Sequence, residues 1–271
     1  MVTDSPDLER RFGGVSRLYG IAGLIKFQAA HVCVIGIGGV GSWAAEALAR
    51  NAVGTFTLID LDNIAESNVN RQIHALEDNF GKPKVTAMAE RIRSINPTAV
   101  VHEIEDFVTA ENVATMMVNR YDIILDAIDD AKSKVAIAAY CKTHQLPLII
   151  VGGAGGRLDP TKIKVADLAN VNGDKLLAKV RSQLRRDHGF PKGNDQAKKQ
   201  LKFGIQAVYS DEQIVAPVTC SENILDSCKV NTGITGLNCA GYGSSVNVTA
   251  PFGFTAAQLV LNQLVLIELL K

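Results

Sequence analysis

The chain has 271 residues, 47% of them hydrophobic and 21% charged. That length buries a large core as one elaborated domain or two closely joined ones, and the composition is that of a globular protein. Basic and acidic residues balance at 28 each, which excludes a uniformly basic nucleic-acid-coating protein but leaves room for a local basic patch.

The five cysteines (Cys33, Cys141, Cys220, Cys228, Cys239) form no C-x-x-C pair, so neither a structural zinc site nor a disulfide framework is expected. The opening MVTDSPDLERRF carries acids and no apolar stretch. It does not read as a signal peptide, and the expected compartment is the cytoplasm.

A segment over 18–30 is able to form its own helix. From there to residue 155, short apolar runs alternate with longer amphipathic segments. The runs lie at 31–35, 55–60, 99–104, 122–126 and 146–151, rich in β-branched residues and bounded by Gly, Asp or Pro, and each reads as a buried strand. Helices are expected over 39–51, 82–95 and 131–143. This alternation predicts an α/β fold: a mainly parallel sheet with helices on both faces.

Past residue 151 the pattern changes. GGAGG at 152–156 closes the first half, and 162–168 reads as a further strand. The polar stretch 175–202 reads as a helix followed by a loop, and it is rich in bases. Among them are Arg181, Arg185, Arg186, Lys198 and Lys199, a candidate surface for nucleic-acid phosphates, which bind cations without regard to sequence. No charge occurs between Lys229 and Glu268. Such a tail raises the question of a membrane span. However, Asn247, Gln258, Asn262 and Gln263 interrupt it, and its most apolar part, 259–270, is too short to cross. A strand and then a helix, buried against the first half, are expected instead.

The first strand runs into Gly36-Ile37-Gly38-Gly39-Val40-Gly41 and then a helix. This is G-x-G-x-x-G in its strand–turn–helix setting, where free N–H groups at a helix start meet phosphate. Asp60 ends the next strand about 20 residues on, where a carboxylate can hold ribose hydroxyls. These features point to a bound nucleotide without separating NAD from ATP.

The following polar cluster, Asp62 to Gln72, contains Asn68, Arg71 and Gln72. An NAD enzyme has no use for it, whereas a nucleotidyl transferase must offset the charge that builds on phosphoryl oxygens and departing pyrophosphate. Arg71 can chelate phosphate through its fork, and Lys84 adds a point charge. Asp126 and Asp129 stand at the carboxyl end of a strand, where open α/β sheets bind ligands, and one of them could hold magnesium. The histidines (His31, His74, His102, His144, His188) show no ligand spacing and read as packing or surface residues.

GIGGVG, LIDLD, SNVNRQ, GKPK and DAIDD, in that order, resemble the E1-like (ThiF/MoeB) superfamily of carboxylate-adenylating enzymes over residues 9–155. The resemblance implies a Rossmann-like E1 fold with ATP and Mg2+ as cofactors, and an extension of the sheet by the C-terminal part. It also assigns the site. Gly39 and Asp60 would bind adenosine and ribose, and Gly36, Gly38, Gly41 and Asp62 would complete the nucleotide site. Asn68, Arg71, Gln72 and Lys84 would contact its phosphates, and Asp129 would hold the metal. Arg17, in SRLYG, would reach the ATP of a partner subunit.

RFGGVSRLYG, DLANVNGDKLLAKVRSQLRR and GYGSSVNVTAPFGF extend the resemblance along the whole chain, toward the bacterial branch that dehydrates threonylcarbamoyladenosine in tRNA. That branch implies one E1-like domain over 1–271, with an ATP-binding half at 9–155 and a substrate-binding and dimerisation half at 156–271. It further implies a homodimer, tRNA as substrate and a functional link to a cysteine desulfurase system. A sulfur-carrier adenylyltransferase shares the first half-reaction and stays open, as do a nicotinamide-dependent oxidoreductase and a nucleotide-sensing module.

Overall fold

Strand-forming runs of β-branched and aliphatic residues assemble into one seven-stranded sheet in the computed structural model, which describes residues 6–117, 120–192, 201–216 and 242–266. The strands are β1 (His31–Ile35), β2 (Thr55–Ile59), β3 (Val100–Ile104), β4 (Ile123–Asp126), β5 (Leu148–Val151), β6 (Ile163–Asp167) and β7 (Gln206–Ser210), in spatial order β3-β2-β1-β4-β5-β7-β6. All neighbours pair in parallel except β6, which runs antiparallel to β7. β1, β4 and β5 are buried along nearly their whole length, as strands covered on both faces must be.

Two apolar cores flank the sheet. One gathers α2 (Gly41–Arg50), α3 (Lys84–Ile95) and α7 (Val246–Leu266) around Val34, Leu48, Met88 and Phe252. The other packs α5 (Ala131–His144) and α6 (Lys175–Asp187) on Cys33, Ile35, Ile124 and Ile150. A single turn, α4 (Val113–Met116), closes the second face.

The five expected strands are present, one or two residues shorter at some ends, and 162–168 holds β6. Two features differ from the sequence reading. β7 was not expected; it inserts between β5 and β6 and so carries the C-terminal extension of the sheet. The N-terminal helix α1 (Leu8–Ala29) starts ten residues earlier than expected, where Asp7 caps it by accepting from the Arg10 N–H, and it kinks at Gly20, whose φ is 77°.

The uncharged tail forms α7, which buries Val248, Phe252, Ala256, Val260 and Leu261 against α2 and the sheet. The strand expected ahead of it falls largely outside the described residues. Among the described residues no helix is long and apolar enough to cross a membrane.

Candidate active site

The strand order reverses at β1, so the crevice of this doubly wound sheet opens at the carboxyl ends of β1 and β4. A cavity of about 560 Å³ lies there. Its walls include Gly36, Gly38, Gly39, Asp60, Asp62, Asn68, Arg71, Gln72, Lys84 and Asp129. Ten of the residues predicted from sequence therefore meet at one place.

Gly41 does not line the cavity. A Cβ there would stand 1.8 Å from the Gly36 carbonyl oxygen, so this glycine lets the helix start pack under the loop rather than contacting a ligand. Gly36 has φ 86° and lies so close to Ala127 and Ile128 that a side chain would collide with their backbone. Gly38, Gly39 and Val40 line the cavity, and among the described residues no protein acceptor takes their N–H groups.

Asp60 holds the glycine loop as well as facing the cavity. One of its carboxylate oxygens accepts from the Ile37 N–H at 2.6 Å and the other from the Asp62 N–H at 2.9 Å. Burial raises its carboxyl above the usual range, against the pull of Lys84 and of these N–H groups. Lys84, at the start of α3, is buried and donates to Asp62 at 2.6 Å, with Asp60 at 3.8 Å. The lysine expected to add a point charge for phosphate is thus also paired with two carboxylates of the site.

Arg71 donates through Nη1 to the Ser67 carbonyl at 2.7 Å and to Asn70 Oδ1 at 2.9 Å, while its aliphatic stem lies over Gly39. Asn68 spends its side-chain oxygen on the Ala65 N–H at 3.0 Å, which shapes the turn carrying Arg71. Among the described residues, Gln72 Oε1 and Thr249 Oγ1, both buried in the wall, have no hydrogen-bond partner.

Asp129 is exposed at the cavity edge. Asp126, the other magnesium candidate, is fully buried and bonded at 2.9 Å to Lys134, itself fully buried; it also accepts from the Ile128 N–H at 3.1 Å. Asp126 therefore shapes the turn leading to Asp129. Lys134 carried no sequence signal because its partner is defined only by packing.

Several lining residues were missed as well. The loop after β3 contributes Asp106, Phe107, Val108 and Thr109, and the far wall is Gly152–Gly155 with Ser244 and Thr249. Asp174 ties that wall down: it accepts from the Gly153 N–H at 2.9 Å and caps α6 through the Leu177 N–H at 2.8 Å.

Other expected residues lie apart. Arg17 is exposed on α1 and does not line the cavity of its own chain. Arg181 and Arg185 do not form an outward basic face. Arg181 donates to the Val171 carbonyl, and Arg185 to the carbonyls of Pro191 and Ala169 while covering the Phe203 ring. The outward stripe of α6 is Lys175, Lys179 and Arg186, the last paired with Asp187. Lys198 and Lys199 lie outside the described residues.

Cys33 and Cys141 are buried, and burial pushes both thiols up, that of Cys141 to about 12, so neither supplies a thiolate. Cys220, Cys228 and Cys239 lie outside the described residues.

A glycine loop, cations and a carboxylate at the switch point of a mainly parallel sheet define an α/β nucleotide-binding protein. Residues 13–188 match the model of the ThiF family, and the chain belongs to that family. It is 47% identical over 257 residues to tRNA threonylcarbamoyladenosine dehydratase of Escherichia coli K12, covering 94% of this chain and 93% of that protein. The protein of the same name from Haemophilus influenzae is 44% identical, covering 94% of each chain. The crystal structure of the E. coli enzyme in complex with ATP superposes with a TM-score of 0.85 at 44% identity, covering 100% of both chains.

Proposed function

We propose that this protein uses ATP to adenylate the carboxylate of threonylcarbamoyladenosine in tRNA and then lets the modification close on itself, with net loss of water. The observation that carries the reading is the length of the likeness. It runs past the nucleotide-binding half through the whole second half, where sulfur-carrier activators carry paired C-x-x-C motifs that this chain lacks.

In the first step a carboxylate oxygen attacks the α-phosphorus, the bond to the β-phosphate oxygen breaks, and pyrophosphate leaves. In the second, an atom of the substrate's own carbamoyl group attacks the acyl carbon. AMP departs with one former carboxylate oxygen, and the carbamoyl nitrogen loses a proton. No enzyme nucleophile is required.

The N–H groups of Gly38, Gly39 and Val40 would cradle the phosphates at the start of α2. Arg71 would offset charge on the phosphoryl oxygens through its unused guanidinium N–H groups, assisted by Lys84. The lone pairs that Asp60 keeps would take ribose hydroxyls. Phe107, Val108 and Ile128 would give the base an apolar wall, and the Gly152–Gly155 loop with Ser244 and Thr249 would border the acyl group. Asp129 would hold magnesium jointly with phosphate oxygens, for which one protein carboxylate suffices. That ion would supply charge neutralisation at the phosphates.

A homodimer with Arg17 crossing to the partner's ATP fits two features: Arg17 lies outside its own cavity, and the same helix exposes Leu18 (76%) and Ile21 (71%). The outward stripe Lys175, Lys179 and Arg186 would meet tRNA phosphates. The link to a cysteine desulfurase system rests on the resemblance alone.

Exchange of labelled pyrophosphate into ATP tests the reading. Exchange that appears only with tRNA bearing threonylcarbamoyladenosine supports it. Exchange stimulated by a sulfur-carrier protein instead would overturn it in favour of carrier adenylation.

A further inference from the structure

Ile37 is the one residue of the glycine loop held at both ends of its own backbone. Its N–H donates to Asp60 at 2.6 Å, and its carbonyl accepts from His74 Nε2 at 2.9 Å. The His74 ring is buried (1% exposed), and the residue's own carbonyl accepts from Asn79 Nδ2 at 3.0 Å, so the ring cannot drift from the loop. His74 also follows Arg71 and Gln72 after a single residue, so the segment that brings those side chains to the cavity is latched to the glycine loop at the same point.

The peptide plane gives this bond a consequence. In a trans peptide the C=O of one residue and the N–H of the next point in opposite directions. Fixing the Ile37 carbonyl toward His74 therefore fixes the Gly38 N–H the other way, and Gly38 lines the cavity. We infer that His74 is a positioning residue that aims the Gly38 N–H at the nucleotide phosphates. The inference rests on ATP as ligand, and it is independent of which carboxylate is adenylated.

Its test is direct binding to the full chain without tRNA, using ATP and adenosine as separate probes in calorimetry. His74→Met keeps an apolar body of similar size and removes the donor. His74→Gln restores an N–H at a similar reach. ATP should bind about tenfold more weakly to His74→Met, the order expected for one lost neutral hydrogen bond. Adenosine, which has no phosphate, should bind unchanged, and His74→Gln should recover most of the ATP affinity at a comparable melting temperature.

Should His74→Met fail to fold, His74→Asn, whose amide is too short to reach Ile37, should show the same phosphate-specific loss. ATP affinity unchanged in the donor-free variant, equal weakening of ATP and adenosine, or no recovery in a folded His74→Gln would each overturn the inference. None of these outcomes depends on the tRNA reaction, so failure here is distinct from failure of the functional proposal.

Discussion

Removing the Arg71 guanidinium separates its chemical role from its structural one. Among the described residues the group makes two hydrogen bonds, to the Ser67 carbonyl and to Asn70 Oδ1, both from Nη1. Each neutral-acceptor bond contributes about 0.5–1.5 kcal/mol net, so Arg71→Ala should cost about 1–3 kcal/mol of stability and leave the protein folded. If its remaining N–H groups stabilise the charge that develops at phosphorus, the rate should fall about 10²–10³-fold, or roughly 2.7–4 kcal/mol in activation free energy. Arg71→Lys keeps the charge but not the fork and should fall between.

The assay is tRNA-dependent pyrophosphate exchange, paired with ATP titration of the chain's one tryptophan. That residue, Trp43, donates to the Arg71 carbonyl at 2.9 Å and so reports on this loop. Exchange within a few-fold of wild type in a folded Arg71→Ala protein would refute the assignment.

Lys84→Met should lose activity and stability together, because it strands the buried Asp60 and unpairs Asp62. A loss of about 2 kcal/mol or more is expected in chemical denaturation, and an unchanged midpoint would contradict the buried pair. Lys179→Glu with Arg186→Glu should raise the KM for tRNA and flatten its salt dependence without moving ATP affinity, whereas Arg181→Glu should chiefly lower the melting temperature. Arg17→Ala and Arg71→Ala, each nearly inactive alone, should regain up to about a quarter of wild-type activity after subunit exchange, since half the random dimers are mixed and each holds one intact site; no recovery with exchange confirmed by mass spectrometry would place Arg17 outside the partner's site.

The pH dependence of stability has a defined sign at His74. Burial pulls its pKa down to about 4, with Lys84 and Arg91 adding to the shift. Below an unfolded pKa of about 6.5, the unfolded chain binds a proton that the folded chain refuses, so stability falls as pH drops from about 6.5 toward 4, by up to about 3 kcal/mol. Asp60, raised by burial, works in the opposite direction. The comparison that isolates the histidine is therefore wild type against His74→Gln, and equal acid sensitivity in the two would refute it.

The parallel half of the sheet was legible because strands covered on both faces must be short, continuous apolar runs, and β1, β4 and β5 are such runs. β7 escaped because Gln206-Ala-Val-Tyr-Ser carries little apolar signal and its place between β5 and β6 is set by long-range pairing. At the site, the residue types that chemistry singles out (glycine loop, Asp60, Arg71, Lys84, Asp129) were readable in order. Their partners were not.

That Lys84 pairs with Asp62 and Asp126 with Lys134, or that Arg181 and Arg185 turn inward to carbonyls, depends on packing between elements distant in sequence or on side-chain direction. Gly152–Gly155, Ser244 and Thr249 contribute backbone and hydroxyl groups, which residue type alone does not flag. His74 was read as packing because a histidine signals through ligand spacing, whereas this one acts through a single bond to a backbone carbonyl.

The central claim, that a substrate carboxylate attacks the α-phosphorus of ATP, is tested most directly by an isotope. Threonylcarbamoyladenosine in tRNA, with heavy oxygen in the threonyl carboxylate, is turned over once with ATP, and the products are separated by mass. One heavy oxygen should appear in the phosphate of AMP, alongside a nucleoside lighter by one water. Heavy oxygen in inorganic phosphate, with ADP as the nucleotide product, would mean that the γ-phosphate is attacked and would contradict adenylation.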